Sequence, residues 1–188
     1  MTSTASESAA LAGLAAVFEY PREDLWERVD HCVDRLQAVD PDAAEPLRTF
    51  REGLRGRSLH ELEELYIQTF DMDPASCLDL GWQLFGEDYN RGLFLARLRR
   101  EMDAAGVEED PGELPDHLTQ VLRLLQRMEP AAADDFVLSC ALPALRKIID
   151  AMPDSRLHRP ALDAVIRLLS HRHRRANEPE EARDGVLP

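Results

Sequence analysis

Two short runs hold the residues best suited to chemistry. Glu113-Leu114-Pro115-Asp116-His117-Leu118 sets a carboxylate beside an imidazole, and Tyr66-Ile67-Gln68-Thr69-Phe70-Asp71 follows two aromatic rings with another carboxylate. A carboxylate and an imidazole together can move a proton, orient a base or hold a partner by hydrogen bonds. Proline is favoured where a helix begins, because its missing N–H would be unpaired there in any case. Pro115 therefore predicts a helix start with Asp116 and His117 in its first turn. There the free amides and the positive dipole end favour an anion and disfavour a charged imidazole. Tyr66 and Phe70 stand four apart and share a helix face. Asp71 falls at the predicted end of that helix, where a carboxylate is electrostatically misplaced without a partner.

Catalytic uses of these residues find little support, and no catalytic residue is assigned. A hydrolase pairing Asp71 with His117 lacks a nucleophile, since no Gly-x-Ser-x-Gly or Cys/His arrangement occurs. Metal binding is not expected: His171 and His173 face different sides of a helix, and His31, His60, His117 and His158 lack ligands at matching spacing. Gly53-x-x-Gly56 has no lysine and no preceding strand, so it is not a phosphate cradle. Arg172-His173-Arg174-Arg175 reads as a basic last turn complementing the helix dipole, and Arg99-Arg100 as a solvated face. Plainer roles stand beside recognition for the two runs: Tyr66 and Phe70 as core aromatics, Asp71 and Asp73 as turn residues, Asp116 at a helix start and His117 at the surface.

The elements that must position these residues are helical. Thr4-x-x-Glu7 predicts a capping box ahead of Leu11, Leu14, Ala15 and Phe18. Leu25, Val29, Cys32, Leu36 and Val39 mark a second helix, and Asp40-Pro41 caps a third lined by Leu47, Phe50 and Leu54. Ser58-x-x-Glu61 opens the helix that carries Tyr66 and Phe70. From Asp71 to Gly86 the pattern breaks. Leu78, Leu80, Trp82 and Leu84 alternate, but no second strand-like run exists to pair with them, so a loop with a short helical turn is expected. A helix from about Tyr89 to Ala105 is expected to bury Leu93, Leu95, Leu98 and Met102 and to stop at Gly106. Leu118, Val121, Leu122, Leu125 and Met128 line the Pro115 helix. Pro143 must kink or divide the segment Ala131 to Met152, and a last helix runs from about Arg159 to His173. The predicted architecture is an all-α, single-domain bundle of about seven or eight helices over residues 1–175, followed by a polar, disordered tail over 176–188.

Composition narrows the class. The 188 residues carry 36 acidic against 22 basic groups, a formal charge of −14, which argues against nucleic acid as a partner and for steering of cationic ones. Three cysteines without a Cys-x-x-Cys pair fit a reducing compartment, and no apolar run is long enough to span a membrane. A cytoplasmic protein without membrane insertion is expected, with no secretory signal at the N-terminus.

The two runs together resemble the motif pair of the NarJ/TorD-type chaperones that mature molybdoenzymes. Phe18-Glu-Tyr-Pro21 with Leu25-Trp26, and Gly86-Glu-Asp-Tyr-Asn-Arg91-Gly92, are similar to the NarJ branch, and the likeness spans about residues 11 to 150. Thr119 and Arg123 depart from it, standing where nitrate-reductase chaperones often have proline and an acidic residue. The resemblance implies a TorD/NarJ-like helical fold and no enzymatic activity or cofactor of its own. It implies binding of the N-terminal leader of a molybdoenzyme catalytic subunit, twin-arginine or its remnant, held for molybdenum cofactor insertion. The client implied is nitrate reductase or a related enzyme of the DMSO-reductase family, and the chaperone a monomer or a helix-swapped dimer. On that basis Tyr66, Phe70, Leu114, Pro115 and Leu118 are expected to form a peptide groove, and Asp71, Asp116 and His117 either to touch the peptide or to shape the groove. A helical adaptor without such a client is the alternative.

Overall fold

Short connections align the first helices of the chain, whose computed structural model describes residues 2–176, with side chains over 5–172. Helices α1 (Thr2–Val17), α2 (Leu25–Val39) and α3 (Pro41–Gly53) pack in sequence, α1 on α2 and α2 on α3. Asp40 ends α2 and caps α3: its carboxylate accepts from the Asp42 amide at 3.0 Å and the Ala43 amide at 3.3 Å, with Pro41 in the first turn. The predicted stripes meet in one core that includes Leu11, Leu14, Phe18, Cys32, Leu36 and Leu47. Helix α1 begins at Thr2, so Thr4 lies inside the helix rather than capping it, and its side chain is outside the described residues.

Helix α4 (Leu59–Tyr66) opens on the predicted box, with the Ser58 hydroxyl and the Glu61 carboxylate each bonded to the other's backbone amide. It continues into a π-helical turn over Ile67–Asp71, closed by the Met72 amide on the Ile67 carbonyl at 2.9 Å. Such widened turns recur at functional sites. After the turn at Asp73 come α5 (Leu80–Phe85) and α6 (Tyr89–Ala105), and α6 ends on Gly106 at φ +64°, the left-handed position glycine adopts without strain. The expected face of α6 is corrected by one residue at its start. Phe94, Leu98 and Met102 are buried, Leu95 is half-buried, and Leu93 is 53% exposed. Phe94 wins the inward position because its ring stacks on Phe136 and tilts against Phe85.

Helix α7 (Leu118–Leu125) starts three residues later than Pro115 predicts. Pro115 and Asp116 form a turn, closed by the His117 amide on the Leu114 carbonyl at 3.0 Å, and His117 is the N-cap. All of α7 but Arg123 is buried, so it is a central helix whose polar Thr119 and Gln120 are covered as well. Pro143 acts as expected, but through a second π turn. Helix α8 (Pro130–Phe136) passes through Val137–Ala141 in π geometry into α9 (Leu142–Ala151), and the wider turn accommodates a residue with no N–H. Helix α10 (Arg159–Ala176) returns along α3 and closes the bundle. Arg172 there does more than complement a dipole: it binds Glu7 of α1 at 2.9 Å and Asp134 of α8 at 3.1 Å. The side chains of His173, Arg174 and Arg175, and the tail after Ala176, lie outside the described residues.

Candidate functional site

The two motif runs are joined by the segment between them. Leu80 donates its amide to the Asp116 carbonyl and Leu118 donates to the Leu78 carbonyl, both at 2.9 Å. These bonds make Asp79 and His117 an isolated antiparallel bridge. The alternation at Leu78–Leu84 thus has a partner of one residue, and the Pro-Asp-His run supplies it. At the other end of the segment, the Ser76 hydroxyl donates to the Thr69 carbonyl in the π turn.

Asp116 is fully buried. Its Oδ2 accepts from Arg91 Nε at 3.2 Å, and the same guanidinium reaches Asp79 Oδ2 at 2.9 Å through a terminal nitrogen. Trp82 covers that guanidinium, its ring centroid 5.5 Å away. Gly81 lies beneath, and any side chain there would collide with both Asp116 and Phe94. Burial, followed by the charge of Asp79, pushes the Asp116 carboxyl above the usual carboxylate range despite Arg91.

His117 is 7% exposed. Its Nδ1 accepts from the Thr119 amide at 3.4 Å and lies 2.8 Å from the Thr119 hydroxyl, which places the ring proton on Nε2, 3.8 Å from Glu113. Burial, not the helix dipole, is the main cause that lowers its pKa to about 4, so it is neutral at pH 7. Thr119 and Arg123, which depart from the motifs of the resemblance, both have partners. Thr119 holds the imidazole, and Arg123 binds Glu19 at 2.6 Å.

Tyr66 and Phe70 belong to a buried aromatic cluster. Their rings lie 5.0 Å apart, Phe18 and His158 close against Phe70, and the Tyr66 hydroxyl donates to the Phe18 carbonyl at 2.9 Å. Leu118 and Pro115 are buried as well. Leu114 and Asp71 remain exposed, with Leu114 at 41%.

Around these two lie residues that the periodicity did not single out. Tyr20 is 40% exposed and stacks edge-on to Tyr66, and Met72 is 72% exposed beside Asp71. Glu113 carries a carboxyl raised by burial and by the charges of Asp79, Asp110 and Asp71; Asp71 is raised by burial. The Asp71 carboxylate has no hydrogen-bond or ion-pair partner among the described residues, and the Glu113 carboxylate has no cation beside it, only the neutral His117 at 3.8 Å. Phe18-Glu-Tyr-Pro21 and the glutamate of the Glu-Leu-Pro-Asp-His run were the available signals. What that surface offers is exposed apolar side chains beside two carboxylates without a cation.

Among the described residues no three His, Cys, Asp or Glu side chains are placed to hold a metal ion. A surface cavity of about 480 Å³ lies elsewhere, between α3 and the start of α10, and includes none of the motif residues. Its arginines are already engaged, Arg159 with Asp154 and Arg167 with Asp163.

The family model described as nitrate reductase delta subunit matches residues 36–153. Among curated relatives, the "Probable nitrate reductase molybdenum cofactor assembly chaperone NarW" of Escherichia coli K12 is 27% identical over 128 residues, 68% of this chain and 54% of that protein. The "Nitrate reductase molybdenum cofactor assembly chaperone NarJ" of the same strain is 25% identical over 123 residues, 64% of this chain and 52% of that protein. The chain therefore spans about half the length of these relatives. A match of 33% to BAI1-associated protein 3 of Homo sapiens takes in 10% of that protein and carries no argument. The matched residues run from α2 through α9 and contain the bridge, the Arg91 junction and both motif runs: the chain belongs to the nitrate reductase delta subunit family.

Proposed function

We propose that this chain is an assembly chaperone for a molybdoenzyme of the nitrate reductase type, working in the cytoplasm by binding rather than by bond chemistry. It holds the N-terminal leader of the catalytic subunit, twin-arginine or its remnant, while the molybdenum cofactor is inserted. The observation that carries this reading is the uncompensated pair Asp71 and Glu113 beside exposed Tyr20, Met72 and Leu114. An amphipathic, arginine-bearing peptide complements both halves of that surface. Apolar contact supplies most of the affinity at about 25 cal/mol per Å² buried. Each exposed arginine–carboxylate pair adds about 0.2–1 kcal/mol.

Within the motif pair, the roles then divide. Leu114 and Asp71 meet the peptide. Tyr66, Phe70, Pro115 and Leu118 support the surface from the core, and Asp116 and His117 shape it through Arg91, Thr119 and the bridge to Asp79.

Calorimetric titration with synthetic leader peptides of the host's molybdoenzyme catalytic subunits tests the proposal. Saturable binding is expected, weakened by Asp71→Asn, Glu113→Gln and Leu114→Ser in protein that keeps its helicity. Binding to none of these leaders, or affinity untouched by all three substitutions, would refute it.

A further inference from the structure

Helix α6 presents an outward face that nothing in the described fold covers. Tyr89, Leu93 and Arg97 form one i, i+4 row, and Gly92, Ala96 and Arg100 form the next. Tyr89 is 79% exposed and Leu93 is 53% exposed. A β-carbon on Gly92 would meet no atom within 4 Å, so the strip between the rows is open. Arg97 and Arg100 are exposed and have no ion-pair partner among the described residues, whereas the neighbouring Arg99 is engaged with Glu109 at 3.4 Å. In a chain of net charge −14, a strip with two apolar residues at one end and two free arginines at the other is unusual. It has the chemistry that the surface of Tyr20, Met72, Leu114, Asp71 and Glu113 is built to accept.

We propose that the outer face of α6 docks on the acidic, apolar surface of a second copy of this chain, Arg97 and Arg100 against Asp71 and Glu113, and Tyr89 and Leu93 against Tyr20, Met72 and Leu114. Arg91 itself points inward from α6, to Asp79 and Asp116, so the outward strip is left free. Each copy carries both surfaces, so the contact is made twice, about a two-fold axis, and closes the assembly. The net charges of two copies repel, but the Debye length of about 8 Å at physiological ionic strength confines that repulsion while contact pairs persist. A self-associated chaperone keeps its peptide surface covered until a cationic leader displaces α6.

The test uses the full chain without any peptide, so it stands apart from the leader-binding titration. Sedimentation equilibrium near physiological salt is expected to show self-association. The double reversals R97E/R100E and D71R/E113R should each lower the association constant about tenfold or more, because like charges then meet across the contact. Mixing the two reversed proteins should restore association, since each supplies the surface the other lacks. A monomeric parent protein, association unchanged by either reversal, or no recovery on mixing would overturn the proposal. Loss with R97E/R100E but not with D71R/E113R would also overturn it, and would assign the α6 face to a different acidic surface.

Discussion

Gly81 lies so close beneath Asp116 that a β-carbon added to it would stand 2.5 Å from the aspartate Oδ2 and 2.9 Å from the Phe94 ring. The contact places the first turn of α5 against the buried carboxylate that Arg91 holds. A side chain at 81 is therefore excluded by tertiary approach, not by backbone conformation. Gly81→Ala should destabilise the fold by about 1–3 kcal/mol, the usual cost of overpacking. Gly92→Ala, on the open face of α6, should instead raise stability by about 0.5–1 kcal/mol through helix propensity. Urea denaturation of the two variants should give shifts of opposite sign.

Asp116 and the pair Asp71 and Glu113 should separate in experiment. Asp116→Asn removes the charge that Arg91 faces in the core, and Arg91 keeps Asp79. A loss of about 1–3 kcal/mol of stability is expected, with peptide affinity falling only as the junction loosens. Asp71→Asn and Glu113→Gln should leave stability within about 0.5 kcal/mol, as surface changes do. Each should weaken peptide binding by up to about fivefold, the worth of one exposed pair. Denaturation and calorimetry on the same three variants distinguish positioning from contact.

Acid should weaken the fold through two histidines. Burial lowers His158 from 6.5 to about 3 and His117 from 6.5 to about 4. Below pH 6.5 the unfolded chain therefore binds protons that the folded chain refuses. Each group's contribution is whole above pH 6.5 and is lost at up to about 1.4 kcal/mol per pH unit as pH falls toward its folded value. Asp71, Glu113 and Asp116 act in the opposite sense, because their raised pKa values let the folded chain take protons first as pH falls from neutrality. The difference between parent and His158→Phe isolates the imidazole. That variant fits the cluster of Phe50, Tyr66 and Phe70, and its stability should fall less steeply between pH 6.5 and 4.

Tyr66→Phe should cost about 0.5–1.5 kcal/mol, because it leaves the buried Phe18 carbonyl without its donor. Its edge contacts with Phe70 and Tyr20 keep the ring in place, so thermal midpoint should drop while leader affinity stays within about twofold.

Most of the helices and their caps were legible in the chain. Asp40-Pro41, the Ser58–Glu61 box and Gly106 sit where predicted, because a cap is an interaction over three or four residues and needs nothing from the rest of the fold. The all-α bundle was legible from helical spacing, and the family from the resemblance that the motif pair carries. The face of α6, the start of α7 and the exposure of each motif residue were not. Phe94 displaces Leu93 because rings from two other helices receive it, and Pro115 yields the helix start to His117 because the run first pairs with Leu78 and Leu80.

Sequence by itself thus determined where helices form and which polar residues need an explanation, since both follow from local spacing and charge. Tertiary structure alone decided where those residues lie and which partners they meet. Asp116 meets Arg91 across 25 positions, and Arg123 meets Glu19 across 104. Burial at such contacts makes Asp116 and His117 parts of the frame and leaves Asp71, Glu113 and Leu114 at its surface. Spacing along a chain carries no record of which side chains another element will cover.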